Sequence, residues 1–413
     1  MTKNTKTGPV SRRTFVAGAA GTAVAAGVTG FPAVLRAEAT PVKLGIVHPV
    51  TGFLQFSGTQ CRFGAMAAVD EINAAGGIKS LGGAKLDPIL GDAQSKAEHG
   101  AAEVEKFEEA GVSAIVGAYT SGISLATTQV AAKYGIPHAV DVGVLDKIVE
   151  RGLENTFRFG PGFGVMARDG VDSLIAINDA AGKPAKTVII VHENTTPFGS
   201  FMAGLLQKNL EPAGFEIVDV LAHPTPNKDF GNIALKIKEA DPDLVIPSSY
   251  YNEGVLFFRT LQRQRIQPRS IYSILGGASS QYRFVKEFPE AAQYIIDCNH
   301  WFDPHKASAQ ALRQKTEAAD KHFSYEVFLA YTAVHLVADA IERAGSSDRA
   351  KIIEALATST WENHVMPYGP TKMVNGQNQG ARALAMQVLG DEIEVVWPNE
   401  YMTKKAIFPR PTT

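Results

Sequence analysis

The chain has 413 residues, 45% of them hydrophobic and 20% charged, an ordinary globular make-up long enough for roughly two or three domain-sized units. The formal net charge is −2, and no Lys/Arg run or heptad repeat occurs, so the composition gives no support to a nucleic-acid or coiled-coil partner. Two cysteines, Cys61 and Cys298, are too few for a disulfide framework or a cysteine-built zinc site and are expected as free, buried thiols.

The first segment, SRRTFVAGAAGTAVAAGVTG, sets Arg12-Arg13 before an Ala/Gly/Val-rich stretch that leads to Arg36 and Ala37-Glu38-Ala39. A basic region, a weakly apolar region and an A-x-A site together predict a secretory signal cleaved after Ala39. Ser11-Arg12-Arg13-Thr14-Phe15-Val16 resembles a twin-arginine export signal, with Val16 where Leu is usual. The apolar stretch is rich in glycine and carries Pro32, which makes it a poor membrane-spanning helix. Losing 39 residues with five basic and one acidic side chain takes the net charge from −2 to −6. The expected product is periplasmic.

Along the remaining chain, VKLGIVHPV (42–50) predicts a strand and RFGAMAAVDEINAAGG (62–77) a helix capped by Gly76-Gly77. A short strand around AKLDPILGD follows, then a helix at SKAEHGAAEVEKFEEAG and a strand at VSAIVG. Next, GAYTSGISLATTQVA (117–131) turns from strand through small polar residues into an apolar-periodic helix, and GIPHAV reads as the next strand. Such alternation predicts a parallel sheet covered by helices on both faces.

The pattern then restarts with TVIIVHENTTPFGS (187–200), FEIVDVLAHP, DLVIPSSYYNEG (243–254) and SIYSILGGASS. Two sets of βα units suit two lobes better than one sheet, with ligand positions in the loops at the strands' carboxyl ends. FLAYTAVHLVADAIERAG (328–345) and DRAKIIEALATS predict two more helices, and RALAMQVLG with EIEVVWP a hairpin-like tail. The expected fold is α/β: two doubly wound parallel-sheet lobes joined by a multi-crossing hinge. Lobe 1 is expected to hold 40–160 with 300–365, and lobe 2 161–299 with 366–413.

Local signatures of catalysis are absent from the sequence. It has no G-x-S-x-G, no G-x-x-x-x-G-K-[ST] and no H-E-x-x-H, and GPGFG (160–164) lacks the spacing of a dinucleotide fingerprint. His300, Asp303 and His305 in HWFDPH could donate to a metal, but a site needs three or four convergent ligands, so a polar turn is the better reading. Neither enzymatic activity nor a cofactor or metal is expected. The corner at 117–131 has a different chemistry. Ser121 suits an N-cap, and the unpaired amides behind it, with the helix dipole, can hold an anion such as a carboxylate. Thr120 and Ser121 add hydroxyls, although the same residues also serve as a plain helix cap.

From these residues a resemblance emerges. HPVTGFLQFSG followed by FGAMAAVDEINAAGGI, then AIVGAYTSGISLATTQVAAKYGIP, VHENTTPFG, SSYYNEGVLFFRTLQRQRI and the tail GQNQGARALAMQVLGDEIEVVWPNE resemble the amino acid and amide class of ABC-importer binding proteins, the leucine/isoleucine/valine-binding type. The most specific landmarks are G-x-x-x-x-x-G-A-x-x-A-x-x-E-I-N-A-A-G-G-I and the tail. The resemblance implies a type I periplasmic binding fold that closes over a small solute, as a monomer that delivers it to membrane permease subunits. It implies that Ser121, with Thr120 and Tyr119, receives the ligand carboxylate. Phe56 and Ser57 would line the pocket from the first lobe, with Phe198, Tyr250 and Tyr251 as aromatic lid positions.

Two departures from the family bear on the ligand. Val144, in VDVGVLDK beside Val142, stands where leucine-type binders place a threonine for the ammonium group, and Ala278, beside Gly277, stands near the position of a second-lobe carboxylate. A buried ammonium without a charge partner is costly. Either Asp141 or Glu253 takes over, or the solute is an organic carboxylate or amide without an amine. An exported α/β hydrolase-like enzyme and a ligand-sensing receptor module are the alternatives.

Overall fold

A computed structural model of the protein describes residues 39–411; the expected twin-arginine-like signal, up to residue 38, lies outside the described residues. Fourteen strands form two sheets. In chain order they are β1 Val42–His48, β2 Leu86–Asp92, β3 Ala114–Gly117, β4 His138–Val140, β5 Thr156–Arg158, β6 Thr187–Glu193, β7 Glu216–His223, β8 Leu244–Ser248, β9 Ser270–Ile274, β10 Ile296–Asn299, β11 Met373–Val374, β12 Gln377–Asn378, β13 Leu384–Leu389 and β14 Glu392–Trp397.

The first sheet runs β2-β1-β3-β4-β5-β12-β11 and the second β7-β6-β8-β9-β10-β13-β14. The five leading strands of each are parallel, with Leu44 opposite Ala114 and Val116 opposite Ala139 in one, and Val188 opposite Leu244 in the other. β3, β4, β8 and β9 are buried along their whole length, as strands covered on both faces must be. The two-lobed α/β architecture expected from the sequence is therefore present. β13 and β14 form the expected antiparallel pair. β11 and β12, however, pair with the first sheet, so residues 373–378 complete lobe 1, although the sequence pattern assigns everything after 365 to lobe 2.

The helix expected at 62–77 spans Gln55–Ala74, starting seven residues earlier because Gln55, Ser57, Gly58 and Thr59 mask its periodicity. Close packing explains its glycine motif. A Cβ on Gly58 would lie 2.0 Å from the Pro49 carbonyl oxygen, and one on Gly64 would lie 2.1 Å from that of Val327. Ala65 and Ala68 are fully buried beside them. The small residues thus let this helix lie directly against helix Tyr325–Ala344.

Three segments, at 159–162, 300–306 and 379–383, carry the chain between the lobes. They are cross-linked: Gln377 Nε2 donates to the Gly160 carbonyl at 2.9 Å and Asn378 Nδ2 to that of Phe159 at 3.2 Å. The Ala383 amide donates to Asp169 at 3.0 Å. Among the described residues no helix is long and apolar enough to cross a membrane. Cys61 and Cys298 are buried and unpaired, and burial pushes both thiols well above their ordinary range.

Candidate functional site: facing strand-end corners

The first corner follows β3. Thr120, in extended conformation, is the N-cap of helix Ser121–Lys133, and its Oγ1 accepts from the Ile123 amide at 3.4 Å. The cap is therefore Thr120, one residue before the position expected, and Ser121 is the first helical residue. Ser121 Oγ accepts from the Leu145 amide at 3.2 Å, which ties the corner to the loop after β4 and leaves the Ser121 hydroxyl hydrogen available to donate. The first amides of this helix have no intrahelical partner.

Just before the cap, Tyr119 has φ +70°, a left-handed conformation that costs about 1–2 kcal/mol for a residue with a side chain. Its amide donates to Asp141 Oδ1 at 3.1 Å, which holds it there. Asp141 also accepts from the Val142 amide at 2.7 Å and from His48 Nε2 at 2.7 Å. Burial pushes the Asp141 carboxyl up, but these hydrogen bonds outweigh it and keep the pKa below the ordinary value. Burial lowers that of His48 in spite of the carboxylate. The pair is a carboxylate beside a neutral imidazole. Cys61 lies within 4.8 Å of both. With its oxygens taken up by His48 and two amides, Asp141 acts as the brace behind the corner.

The second corner follows β8. Ser249 and Tyr250 precede helix Tyr251–Arg263, which has no side-chain cap and carries Glu253 in its first turn. Glu253 Oε1 accepts from the Asn227 amide at 3.2 Å. The Tyr119 and Tyr250 rings face each other at 6.5 Å across the cleft, and Phe198 lies 5.1 Å from Tyr250. Farther out, the Phe56 and Tyr251 rings meet at 4.3 Å with the Arg283 guanidinium over both. Asn252 Nδ2 donates to the Phe53 carbonyl at 3.2 Å, and Gln281 Nε2 to the buried Glu326 at 2.8 Å. The lobes are thus in contact.

Between the corners is a cavity of about 40 Å³, lined by Tyr119, Thr120, Ser121, Val142, Val144, Phe198, Ser249, Tyr250, Leu275, Gly277, Asn299, His300 and Tyr325. One water needs only about 10–15 Å³. Burial pushes the Tyr119, Tyr250 and Tyr325 phenols up, so they stay neutral and can donate. No Asp, Glu, Lys or Arg lines this cavity among the described residues. A larger groove of about 970 Å³ runs past Asp146, Glu150, Arg158 and Gln377. Its lining shares no residue with the cavity between the corners.

A profile of the periplasmic binding protein family matches residues 41–392. The chain belongs to that family. It is 34% identical over 258 residues to a Leu/Ile/Val-binding protein homolog of Brucella abortus, covering 62% of this chain and 63% of the relative, so the match spans less than two thirds of that protein. A branched-chain amino acid transporter substrate binding protein of Streptococcus pneumoniae, solved with isoleucine, aligns with a TM-score of 0.75 at 25% identity over 87% of this chain and 100% of that one. An ABC transporter solute binding protein of R. palustris, solved with benzoate, aligns with a TM-score of 0.74 at 18% identity over 88% and 99%. These likenesses match the type I periplasmic binding architecture.

Eight residues singled out from the family pattern surround the cavity: Tyr119, Thr120, Ser121, Val142, Val144, Phe198, Tyr250 and Gly277. Six do not line it. Ser57 is buried beside Tyr119, Phe56 and Tyr251 form the outer aromatic contact, Ala278 is fully buried behind, and Asp141 and Glu253 serve the two corners from within. Four lining residues escaped the sequence reading, Ser249, Leu275, Asn299 and Tyr325, and a fifth, His300, was read there as part of a polar turn. Ser249 and Leu275 adjoin positions already chosen. Asn299 ends the four-residue strand β10 and His300 follows it, so the strand-end rule applied to YIIDCNHW would have found both.

Proposed function

We propose that the protein is the non-catalytic, periplasmic solute receptor of an ABC importer, exported through its twin-arginine-like signal with cleavage after Ala39. As a monomer it closes two lobes over a small carboxylate without an amine and delivers it to membrane permease subunits. The observation that carries this reading is the asymmetry of the cleft. The first lobe offers helix-start amides and the Thr120 and Ser121 hydroxyls to an anion, while the lining contains no carboxylate to balance an ammonium. Asp141 and Glu253, the remaining candidates for that task, are occupied by their own amide donors. Phe198, Tyr250, Leu275, Val142 and Val144 suit an apolar or aromatic body. The benzoate-bound relative shows that this fold can hold such a solute. Closure follows if ligand contacts both corners and thereby favours the joined state.

A thermal-shift panel of aromatic and aliphatic carboxylates, amides and amino acids tests this. A ligand at about 100 times its dissociation constant adds roughly 2.7 kcal/mol of stability. Stabilisation by amine-free acids is expected; stabilisation by amino acids alone would overturn the ligand class. One observation favours the hydrolase alternative: His223 Nε2 and Ser249 Oγ lie 2.9 Å apart, within reach for a nucleophile and its base. Its third member is only the Pro224 carbonyl, 2.9 Å from Nδ1; the nearby Glu193 carboxylate is taken up by the Thr195, Thr196 and Gly199 amides. Nitrophenyl ester hydrolysis no faster than in Ser249→Ala is the expected result.

A further inference from the structure

The second-lobe end of the cavity holds two side chains whose hydrogen-bonding capacity can be worked out. His223 Nδ1 lies 2.9 Å from the Pro224 carbonyl oxygen. A carbonyl can only accept, so Nδ1 carries the ring proton. Burial lowers the His223 pKa, and the ring is neutral. Its Nε2 is then an acceptor, and the Ser249 hydroxyl, 2.9 Å away, must donate to it. Ser249 is left facing the cavity with lone pairs alone. His300 lines the same cavity, is 1% exposed, and neither ring nitrogen has a partner. Burial and the Arg158 guanidinium push its pKa down to about 3, so it too offers one donor and one acceptor. Gly160 provides the notch that holds the ring, since a Cβ there would lie 3.1 Å from His300 Cε1.

A buried imidazole with both nitrogens unpaired is rare in folded proteins and calls for a partner that occupies the site. The neighbouring cavity residue does not supply one, because Asn299 is already bonded to Ser280, Asp297 and the His300 amide. We infer that Ser249 and His300 form a hydroxyl-reading pair, so that the preferred solute is a hydroxylated carboxylate. Its carboxylate rests on the Thr120–Ser121 corner. Its hydroxyl donates to Ser249 and accepts from the protonated nitrogen of His300. This rests on the carboxylate reading above and adds the second polar group that the solute must carry.

The test is calorimetry on the purified protein with matched sets: benzoate, the hydroxybenzoates and the corresponding methoxybenzoates, and hexanoate with 6-hydroxyhexanoate. A hydroxylated member should bind about tenfold to a hundredfold more tightly than its parent acid, and its methyl ether should lose that gain because it cannot donate. Ser249→Ala and His300→Phe should each weaken binding of the hydroxylated acid about tenfold more than binding of its parent; their melting curves check that they fold. Equal affinity for hydroxylated and parent acids would overturn the inference and leave the carboxylate reading intact. Binding of no carboxylate would overturn both. Nitrogen NMR of the histidine rings gives an independent check: His223 should show the Nδ1–H tautomer at neutral pH, and the opposite tautomer would overturn the donor–acceptor assignment.

Discussion

The two corners occupy equivalent places in two sheets of the same strand order, yet they differ where a charge would matter. Helix Ser121–Lys133 has no acidic residue in its first turn and is capped only by the Thr120 hydroxyl at 3.4 Å. Helix Tyr251–Arg263 has Glu253 in its first turn, already bonded to the Asn227 amide. The positive end of a helix dipole is partly neutralised by a carboxylate in that position. The second corner thus carries an acidic side chain of its own, and in the function proposed above the first receives its anion from the solute. A fold built from two similar units can divide anchoring and wall-building between them by where a single carboxylate lies.

The largest effect expected of a single substitution comes from removing the brace of the first corner. Asp141→Ala leaves His48 and the Tyr119 and Val142 amides without their buried acceptor and should cost about 3–5 kcal/mol in denaturant unfolding. A loss below about 1 kcal/mol would mean that Tyr119 holds its left-handed conformation unaided. A second test acts through pH, on several buried imidazoles at once. His138, His335 and His364 are each pushed down to about 4 and His300 to about 3, burial being the largest cause in every case. Between those values and about 6.5 the unfolded chain binds the protons that the folded chain refuses, so stability falls as pH drops through that window. Each such group contributes up to about 1.4 kcal/mol per pH unit. The raised carboxyls of Asp297 and Glu326 act in the opposite sense and soften the slope. Melting curves from pH 7 to 4.5 should show a clear decline, and a flat profile would contradict the neutral imidazoles.

Smaller changes separate the corners directly. Ser121→Ala removes one hydroxyl donor from the anion's side and should weaken carboxylate binding about fivefold to tenfold by calorimetry. Glu253→Gln should leave that affinity within about twofold, because the side chain faces Asn227 and not the cavity, and should lower stability by about 0.3–1 kcal/mol. Equal effects on binding from the two substitutions would erase the distinction between anchor and wall.

Most of the architecture was legible because it is periodic. Strands buried on both faces read as apolar runs, and the restart at Thr187 marks the second lobe. Two classes of feature were not. Very short strands such as β5, β11 and β12 carry too few residues for any period, and β11 and β12 join the first sheet only through tertiary pairing. The first corner was visible as a local junction, whereas the rest of the lining assembles from the ends of β8, β9 and β10 and the starts of the helices at Pro197 and Tyr325, five distant segments. His300 illustrates the limit. In sequence it stands in a polar turn, and only burial beside Gly160 reveals two ring nitrogens without partners. Asp141 and Glu253 show the converse: carboxylates chosen for their charge turned out to face their own backbone.

The cross-linked third crossing bears on how the molecule is made. Residues 373–378 finish the first sheet and residues 384–397 the second, so neither sheet has its full set of strands until almost the whole chain has been synthesised. Contacts of such long sequence separation are slow to form, and the incomplete edges of β5 and β10 remain open to wrong pairing until then. A chain cut short at residue 370 would therefore leave both sheets with exposed edges at β5 and β10.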